Sequence, residues 1–109
     1  MKHANINSSR PQKVESKIRT LVAEILRDLY GDIVITIVDA KSSGGLQFVK
    51  LFYYAPAGNS EAMQKRLDGI TGAVRYELAA RMNQRYTPDL RFVYDDTLER
   101  AARIEELLK

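Results

Sequence analysis

The segment that decides the fold spans residues 69–95 and reads GITGAVRYELAARMNQRYTPDLRFVYD. Gly69 and Gly72 stand three residues apart, and because glycine weakens a helix they predict a bend there. Apolar residues at helical spacing resume beyond the bend, until Pro88 bars a further helical turn. Residues 90–94 then alternate in the manner of a strand. The segment therefore predicts two consecutive helices joined by a bend and followed by a strand.

A helix and a hairpin are predicted upstream of this segment. Apolar residues recur at spacings of three and four over residues 11–29, and the proline at position 11 suits a first helical turn. Gly31 ends this helix. Residues 33–38 are a β-branched run, and residues 46–54 form a second, antiparallel strand after the turn sequence SSGG at 42–45. The residues predicted to face the core from these elements are Val14, Ile18, Leu21, Val22, Ile25, Leu26, Leu29, Ile33, Ile35, Ile37, Val49, Leu51 and Tyr53.

The remaining elements complete an α+β architecture. Asn59 or Ser60 is predicted to cap the helix that precedes the bend. Asp96, with Glu99 three residues later, is predicted to cap a last helix over residues 97–108. The order α-β-β-α-α-β, with a helix-kink-helix and an added C-terminal helix, is that of a KH-type RNA-binding domain, type II-like.

The length of the chain, 109 residues, fits one small domain. We expect this domain over residues 10–109, after a flexible N-terminus at residues 1–9. The first nine residues lack the apolar core of a signal peptide, and no apolar run approaches the roughly 20 residues of a membrane span. Cysteine is absent, as in many proteins of a reducing compartment. We therefore expect a cytoplasmic protein that does not engage a membrane.

Few residues of the chain are suited to catalysis. The only histidine is His3, in the terminus expected to be flexible, so neither a catalytic triad nor a histidine-bound metal is predicted. Asp95 and Asp96 are adjacent, and successive side chains leaving a strand point to opposite sides, so they do not converge on one metal. The glycines at 44 and 45 lack the lysine and helix of a phosphate loop. We expect a protein that is not an enzyme and that holds no metal or cofactor.

The basic charge is concentrated on the predicted helices. The net charge is +3 for the chain, and it comprises +3 on residues 1–29, zero on residues 30–59, +2 on residues 60–87 and −2 on residues 88–109. A basic surface neutralises phosphates, which favours a nucleic acid partner. A solvated surface of mixed charge explains the same numbers.

Two blocks of the sequence resemble the ribosome-binding factor A family. The first is Arg10-Pro11-Gln12-Lys13-Val14, and the second is Gly72-x-x-Arg75 followed by residues 85–92, RYTPDLRF, and Asp95. The resemblance extends over residues 10–108. It implies a KH-type fold and an assembly factor, not an enzyme, that binds the free small (30S) ribosomal subunit and its 16S rRNA during late maturation and rRNA processing. A monomer is the expected state for so small and charged a surface.

The bend at Gly69 to Gly72 is the sharpest candidate for RNA contact. In KH domains a G-x-x-G turn between two helices brings backbone N–H groups close to the nucleic acid. The resemblance implies an Ala-x-Gly kink at this place, with Gly72 as its glycine and Ile70 where the family has alanine. Three interpretations stay open: a kink, an RNA-clamping loop, and glycines that only let two helices cross closely.

Basic residues near the bend and on the first helix are the predicted phosphate contacts. Arg81 follows Glu77 by four residues and is predicted to pair with it, whereas Arg75 and Arg85 have no such obvious acid. We therefore hypothesise that Arg75→Glu combined with Arg85→Glu abolishes subunit binding and leaves the fold intact. The predicted RNA-binding residues are Lys13, Lys17, Lys65, Arg66, Gly69, Gly72, Arg75, Arg81 and Arg85.

Two other functions stay open from the sequence. One is a KH-like module for single-stranded RNA that is not dedicated to ribosome assembly, with residues 69–72 as its clamp. The other is a protein-interaction domain that uses the acidic last helix. On the second strand, Phe48, Lys50, Phe52 and Tyr54 alternate onto one face, which fits either a base-stacking platform or a surface covered by the last helix.

Overall fold

The computed structural model describes residues 2–56, 60–83 and 86–108 of the chain. These residues form three helices and one three-stranded sheet. The elements in chain order are α1 at Lys2–Leu29, β1 at Thr36–Ser43, β2 at Phe48–Tyr54, α2 at Ser60–Met82, β3 at Asp89–Tyr94 and α3 at Thr97–Leu108.

The sheet has the strand order β1-β2-β3. β1 and β2 are antiparallel and are joined by a tight turn in which Gly44 and Gly45 adopt positive φ angles of 60° and 64°. β2 and β3 are parallel, and α2 connects them, because parallel neighbours need a crossover. α1 packs against β1, α2 packs against β3, and the two helices also contact each other. Both helices therefore cover one face of the sheet, which we call the inner face.

One hydrophobic core lies between the helices and the inner face. Tyr53, at its centre, is fully buried, and its hydroxyl donates to Gln64 Oε1 at 2.8 Å. Gln64 Nε2 donates in turn to the Phe92 carbonyl at 2.8 Å, which connects α2 to both β2 and β3. Burial raises the pKa of Tyr53, so the phenol keeps its proton. The other fully buried large residues are Phe92, Ile18, Ile25, Leu51, Leu67, Leu78, Val22, Val49 and Val74.

The predicted core agrees with the structure except at the end of the first helix. Val14, Leu21, Ile35 and Ile37 pack partly buried against the core, and the other predicted residues are buried apart from Leu29. Leu29, the last residue of α1, is 54% exposed.

Several boundaries differ from the predicted ones, including the start of β2, which lies at Phe48 and not at residue 46. α1 begins at Lys2 and not at residue 11, so the proline lies within the helix; residues 2–10 contain no glycine or proline that would stop helical backbone. β1 begins at Thr36 and not at residue 33, and it continues through Ser43, so the turn occupies residues 44–47. The strand also contains a bulge between Ile37 and Asp39.

The predicted interruption at Gly69 to Gly72 is absent, because α2 is one continuous helix of 23 residues. Leu67, Val74 and Leu78 on either side of the glycines are all fully buried in the same core. Their burial outweighs the loss of about 1 kcal/mol that each glycine brings to a helix. The α+β, KH-type architecture is confirmed, with this one helix in place of two.

The last helix, α3, leaves the sheet without packing closely on any other element. Its start differs from the predicted cap: the Asp95 carboxylate accepts from the Thr97 N–H at 2.9 Å, whereas the Asp96 carboxylate pairs with Arg100 at 3.1 Å. The described side chains of α3 from Arg100 to Leu108 are exposed. The sheet face opposite α1 and α2, here called the outer face, is therefore not covered by α3.

Candidate nucleic-acid interface

The solvent-exposed face of α2 carries two glycines, which leave the helix backbone without side chains at these positions. Lys65, Gly69, Gly72 and Tyr76 follow one another at spacings of four, three and four, which places them on one face of the helix. All four are exposed, and the Tyr76 side chain is 80% exposed. We call these four residues the glycine stripe. It presents a flat helical surface between a cation and an aromatic ring.

The glycines of this stripe have no packing partner in the described part of the protein. A Cβ atom added at either position would meet nothing within 4 Å. The interpretation that they let two helices cross closely is therefore wrong. The RNA-clamping loop is also wrong, because continuous helical hydrogen bonding leaves no free N–H groups at residues 69–72. Of the three interpretations, a kink within the continuous helix remains, and its exposed glycines leave a surface that a partner can approach closely.

Arg66, three residues before Gly69 on α2, forms an ion pair. Its guanidinium makes a two-pronged contact with the Asp32 carboxylate, with Nη2 at 3.2 Å from Oδ1. Asp32 lies just beyond the end of α1, so this pair joins the two helices near the start of α2. The positive charge of Arg66, predicted as an RNA contact, is therefore already compensated within the protein.

We expect the Asp32–Arg66 pair to give a stability that is lost in acid. The hydrogen bond from Arg66 lowers the pKa of Asp32 from its ordinary value of 3.8, and hydrogen bonds from Thr97 lower that of Asp95. A carboxyl whose pKa is lower in the folded state contributes stability above its unfolded pKa, and loses it as the pH falls through the folded pKa. The urea concentration at the midpoint of unfolding should therefore decrease as the pH is lowered below about 4.

The variant Asp32→Asn tests this expectation. Its urea midpoint, measured over the same range of pH, should change less than that of the wild-type protein. An equal decrease in both proteins would show that other carboxyl groups cause the acid sensitivity.

Arg75 holds the chain that leads into β3. Its Nη2 donates to the Thr87 carbonyl at 2.6 Å and its Nε donates to the Pro88 carbonyl at 3.0 Å. The same Nε lies 3.3 Å from Asp89 Oδ1. The expectation that Arg75 has no acidic neighbour is wrong, because the acid comes from β3 and not from its own helix. Its geometry is that of a residue that stabilises the fold.

Arg81 connects the ends of α1 and α2. It pairs with Glu77 at 3.7 Å, as its spacing predicts, and also with Asp28 at 3.2 Å and Glu24 at 4.0 Å. Three carboxylates surround one guanidinium, so little of its charge is available to an RNA phosphate.

Three of the predicted phosphate contacts have no acidic partner among the described residues: Lys13, Lys17 and Lys65. Each is exposed, and within the described residues none forms an ion pair. Arg85 lies outside the described residues.

The two lysines of α1 lie on the flank of that helix that turns toward α2. Lys17 is seven residues before Glu24 and eleven before Asp28, which are helical spacings that place all three on one side. Glu24 and Asp28 pair with Arg81 of α2. The free lysines of α1 therefore point to the side of the molecule on which α2 lies.

Sequence reasoning missed Tyr76 as a member of this surface. Its position four residues after Gly72 was the available signal, since residues at that spacing share a helix face. Tyr86, 55% exposed, is a second aromatic ring near the end of α2. Exposed aromatic rings beside lysines are a common feature of RNA-binding surfaces.

The described residues offer neither a metal site nor a membrane span. No group of three or more histidine, cysteine, aspartate or glutamate side chains there is arranged to hold a metal ion. No helix in those residues combines the length and the apolar character needed to cross a bilayer.

Comparison with known proteins identifies the family. A model of ribosome-binding factor A matches residues 10–108. The chain belongs to the ribosome-binding factor A family. The ribosome-binding factor A of Methylobacillus flagellatus is 34% identical over 104 residues, which cover 92% of this chain and 82% of that protein. The resemblance found in the sequence is thereby confirmed.

Solved structures of ribosome-binding factor A share the fold. The crystal structure of the Thermus thermophilus protein superposes with a TM-score of 0.69 and 19% identity, covering 77% of this chain and 94% of that one. A homology model of the Thermus thermophilus protein, fitted into a cryo-EM map of a 30S complex, gives a TM-score of 0.65 at 19% identity and covers 76% and 92% of the two chains.

Proposed function

We propose that this protein is a ribosome assembly factor that binds the free 30S subunit and its 16S rRNA and assists late maturation and rRNA processing. It acts as a monomer in the cytoplasm and catalyses no reaction. Membership of the ribosome-binding factor A family supports a ribosome-associated role. The Thermus thermophilus relative has been fitted into a map of a 30S complex.

The observation that carries this proposal is the glycine stripe. Two glycines within a helix lower its stability, and the described protein makes no use of the space that they leave. Because RNA backbone is bulky, a surface without side chains lets it approach the helix closely. Lys65 at one end supplies a charge for a phosphate, and Tyr76 toward the other supplies a ring for a base or sugar.

Binding by this surface depends on charge and shape. Lys13, Lys17 and Lys65 neutralise phosphates, so the logarithm of the affinity falls linearly with the logarithm of the salt concentration. The fixed arrangement of α1 and α2 supplies the specificity, because only a folded RNA surface presents phosphates in a matching pattern. The arrangement does not favour a general single-stranded RNA clamp, since α2 is continuous at residues 69–72.

Co-sedimentation with separated ribosomal particles tests this function. The purified protein should be retained by free small subunits, and neither by large subunits nor by joined ribosomes, at low and at moderate salt. Equal retention by all particles would replace the proposal with a general RNA binder. No retention at low salt would exclude ribosomal RNA as the partner.

The variant Lys13→Ala/Lys17→Ala is expected to bind small subunits several-fold more weakly. Each lost phosphate contact also lowers the log–log salt slope by about 0.7 to 0.9. Both lysines are exposed, so the urea midpoint should not change. Affinity is measured by co-sedimentation at several salt concentrations.

Arg100→Ala/Arg103→Ala, which removes the same charge from α3, is the matched control and should bind as the wild type does. Equal losses in both variants would mean that net charge alone determines the affinity.

A further inference from the structure

The outer face of the sheet carries a row of three cations. Lys41 of β1 is paired with Lys50 of β2, and Lys50 is paired with Arg91 of β3. Directly paired residues project from the same face of a sheet, and neighbouring strands lie about 4.8 Å apart. All three side chains are exposed. One cation from each strand therefore stands in a single line across the outer face, which we call the cation row.

The charges of the cation row are poorly compensated. Lys41 Nζ lies 3.8 Å from Asp39, but Lys50 and Arg91 have no ion-pair partner in the described part of the chain. Asp89, an acid at the margin of this face, is engaged by Arg75. Like charges directly opposite one another destabilise a sheet. The stability of the folded protein therefore does not explain why these three cations lie side by side.

Protection of sheet edges does not explain the row either. Lysine on an edge strand discourages unwanted strand pairing, and that reason applies to β1 and β3. Lys50, however, lies on β2, the central strand, whose two edges are already paired. Its charge points to an anionic partner.

Aromatic rings flank the central cation of the row. Phe48 and Phe52 lie two residues before and two residues after Lys50, so the three side chains share the outer face. The Phe48 side chain is 53% exposed, and Phe52 is half-buried. The order ring, cation, ring along β2 matches the alternation of base, phosphate and base along a nucleic acid strand.

We propose that the outer face of the sheet binds unpaired RNA nucleotides, with phosphates on the cation row and bases stacked on Phe48 and Phe52. This site is separate from the glycine stripe, and it rests on the proposed function only for the identity of the RNA. An acidic peptide would satisfy the cations but would not require flat aromatic partners, so the exposed Phe48 ring and the half-buried Phe52 ring favour RNA. The two surfaces would hold folded rRNA on the helices and an adjacent single strand on the sheet.

The test uses the full-length protein and two labelled probes, an eight-nucleotide adenosine RNA and an abasic strand with the same number of phosphates. Fluorescence anisotropy measures the affinity for each at several salt concentrations. The wild-type protein should prefer the adenosine RNA, and Phe48→Ala should lower that affinity at least about fivefold while leaving the abasic strand unaffected. Lys50→Ala/Arg91→Ala should weaken both probes and lower the salt slope by about 1.4.

Several results would overturn this site. Unchanged affinity of Phe48→Ala for the adenosine RNA would exclude base stacking. Arg100→Ala/Arg103→Ala is the control for charge, and losses as large as those of Lys50→Ala/Arg91→Ala would exclude the cation row. Equally tight binding of an oligoglutamate peptide would identify an acidic protein as the partner. Co-sedimentation with small subunits is measured separately. Its failure would contradict the proposed function, whereas the anisotropy measurements would still test whether the outer face binds RNA.

Discussion

Replacing both Gly69 and Gly72 with alanine is expected to stabilise the protein and, at the same time, to weaken its binding to the small subunit. Glycine within a helix costs about 0.8–1.0 kcal/mol relative to alanine. The added methyl groups meet nothing within 4 Å in the described protein, so no clash offsets that gain. The free energy of unfolding should therefore rise by about 1–2 kcal/mol.

The loss of binding has a separate physical cause. Each methyl group projects from the surface that we assign to RNA backbone, and it holds the helix away from its partner. Because hydrogen bonds and packing weaken steeply with distance, we expect the affinity for small subunits to fall at least about tenfold, or about 1.4 kcal/mol. Urea unfolding and co-sedimentation on the same samples give the two quantities.

A matched control separates stability from binding. Ala23 is exposed on α1 and lies outside the glycine stripe, so Ala23→Gly should lose about 1 kcal/mol of stability and bind normally. Stabilisation without any loss of binding in the double glycine variant would show that the glycine stripe is not a contact surface.

The core and the order of elements were predictable because they depend on local periodicity. The spacing of Ile18, Val22 and Ile25 specifies one buried helix face whatever the rest of the chain does. Alternation likewise separated Val49 and Leu51 from their exposed neighbours. These patterns concern residues a few positions apart, and they need no knowledge of the partner surface.

The continuity of α2 was not predictable from the same local rules. Helix propensity assigns a cost to Gly69 and Gly72, but it does not include the burial of Leu67 and Val74 on either side of them. Only the assembled core shows that this burial exceeds the cost. The spacing of the glycines therefore identified a distinctive position in the helix, but the interruption predicted there was wrong.

Some ion-pair partners were predictable from the sequence and others were not. Glu77 is four residues from Arg81, and their pairing was predicted from that spacing. Asp32 reaches Arg66 across 34 positions of sequence, so no spacing rule identifies the pair. The cation row is similar: alternation placed Lys50 beside two rings, but only the strand register places Lys41 and Arg91 next to it.

Arg75→Glu is expected to lower the free energy of unfolding by about 2–3 kcal/mol. The substitution removes charge-assisted hydrogen bonds of 2.6 Å and 3.0 Å to the carbonyls of Thr87 and Pro88. Thr87 is buried, so water does not fully replace its lost partner. The new carboxylate would also face Asp89, which turns an attraction into a repulsion.

Loss of subunit binding after substitution of Arg75 would have two physical explanations. The sequence favoured Arg75→Glu with Arg85→Glu as a variant that would lose subunit binding and keep its fold. Because Arg75 fixes the entry to β3, loss of binding in that variant would report damage to the sheet as much as loss of a phosphate contact. Lys65→Glu is the better probe, since Lys65 is exposed on the same helix without an ion-pair partner among the described residues.

Urea unfolding and co-sedimentation of both variants distinguish the two roles. Lys65→Glu should unfold within about 0.5 kcal/mol of the wild type and bind small subunits more weakly. Arg75→Lys, which keeps the charge but not the forked geometry, should lie between the wild type and Arg75→Glu in stability. If Arg75→Glu were as stable as the wild type but bound small subunits more weakly, Arg75 would be an RNA contact. Its contacts to residues 87–89 would then contribute little to the free energy of unfolding.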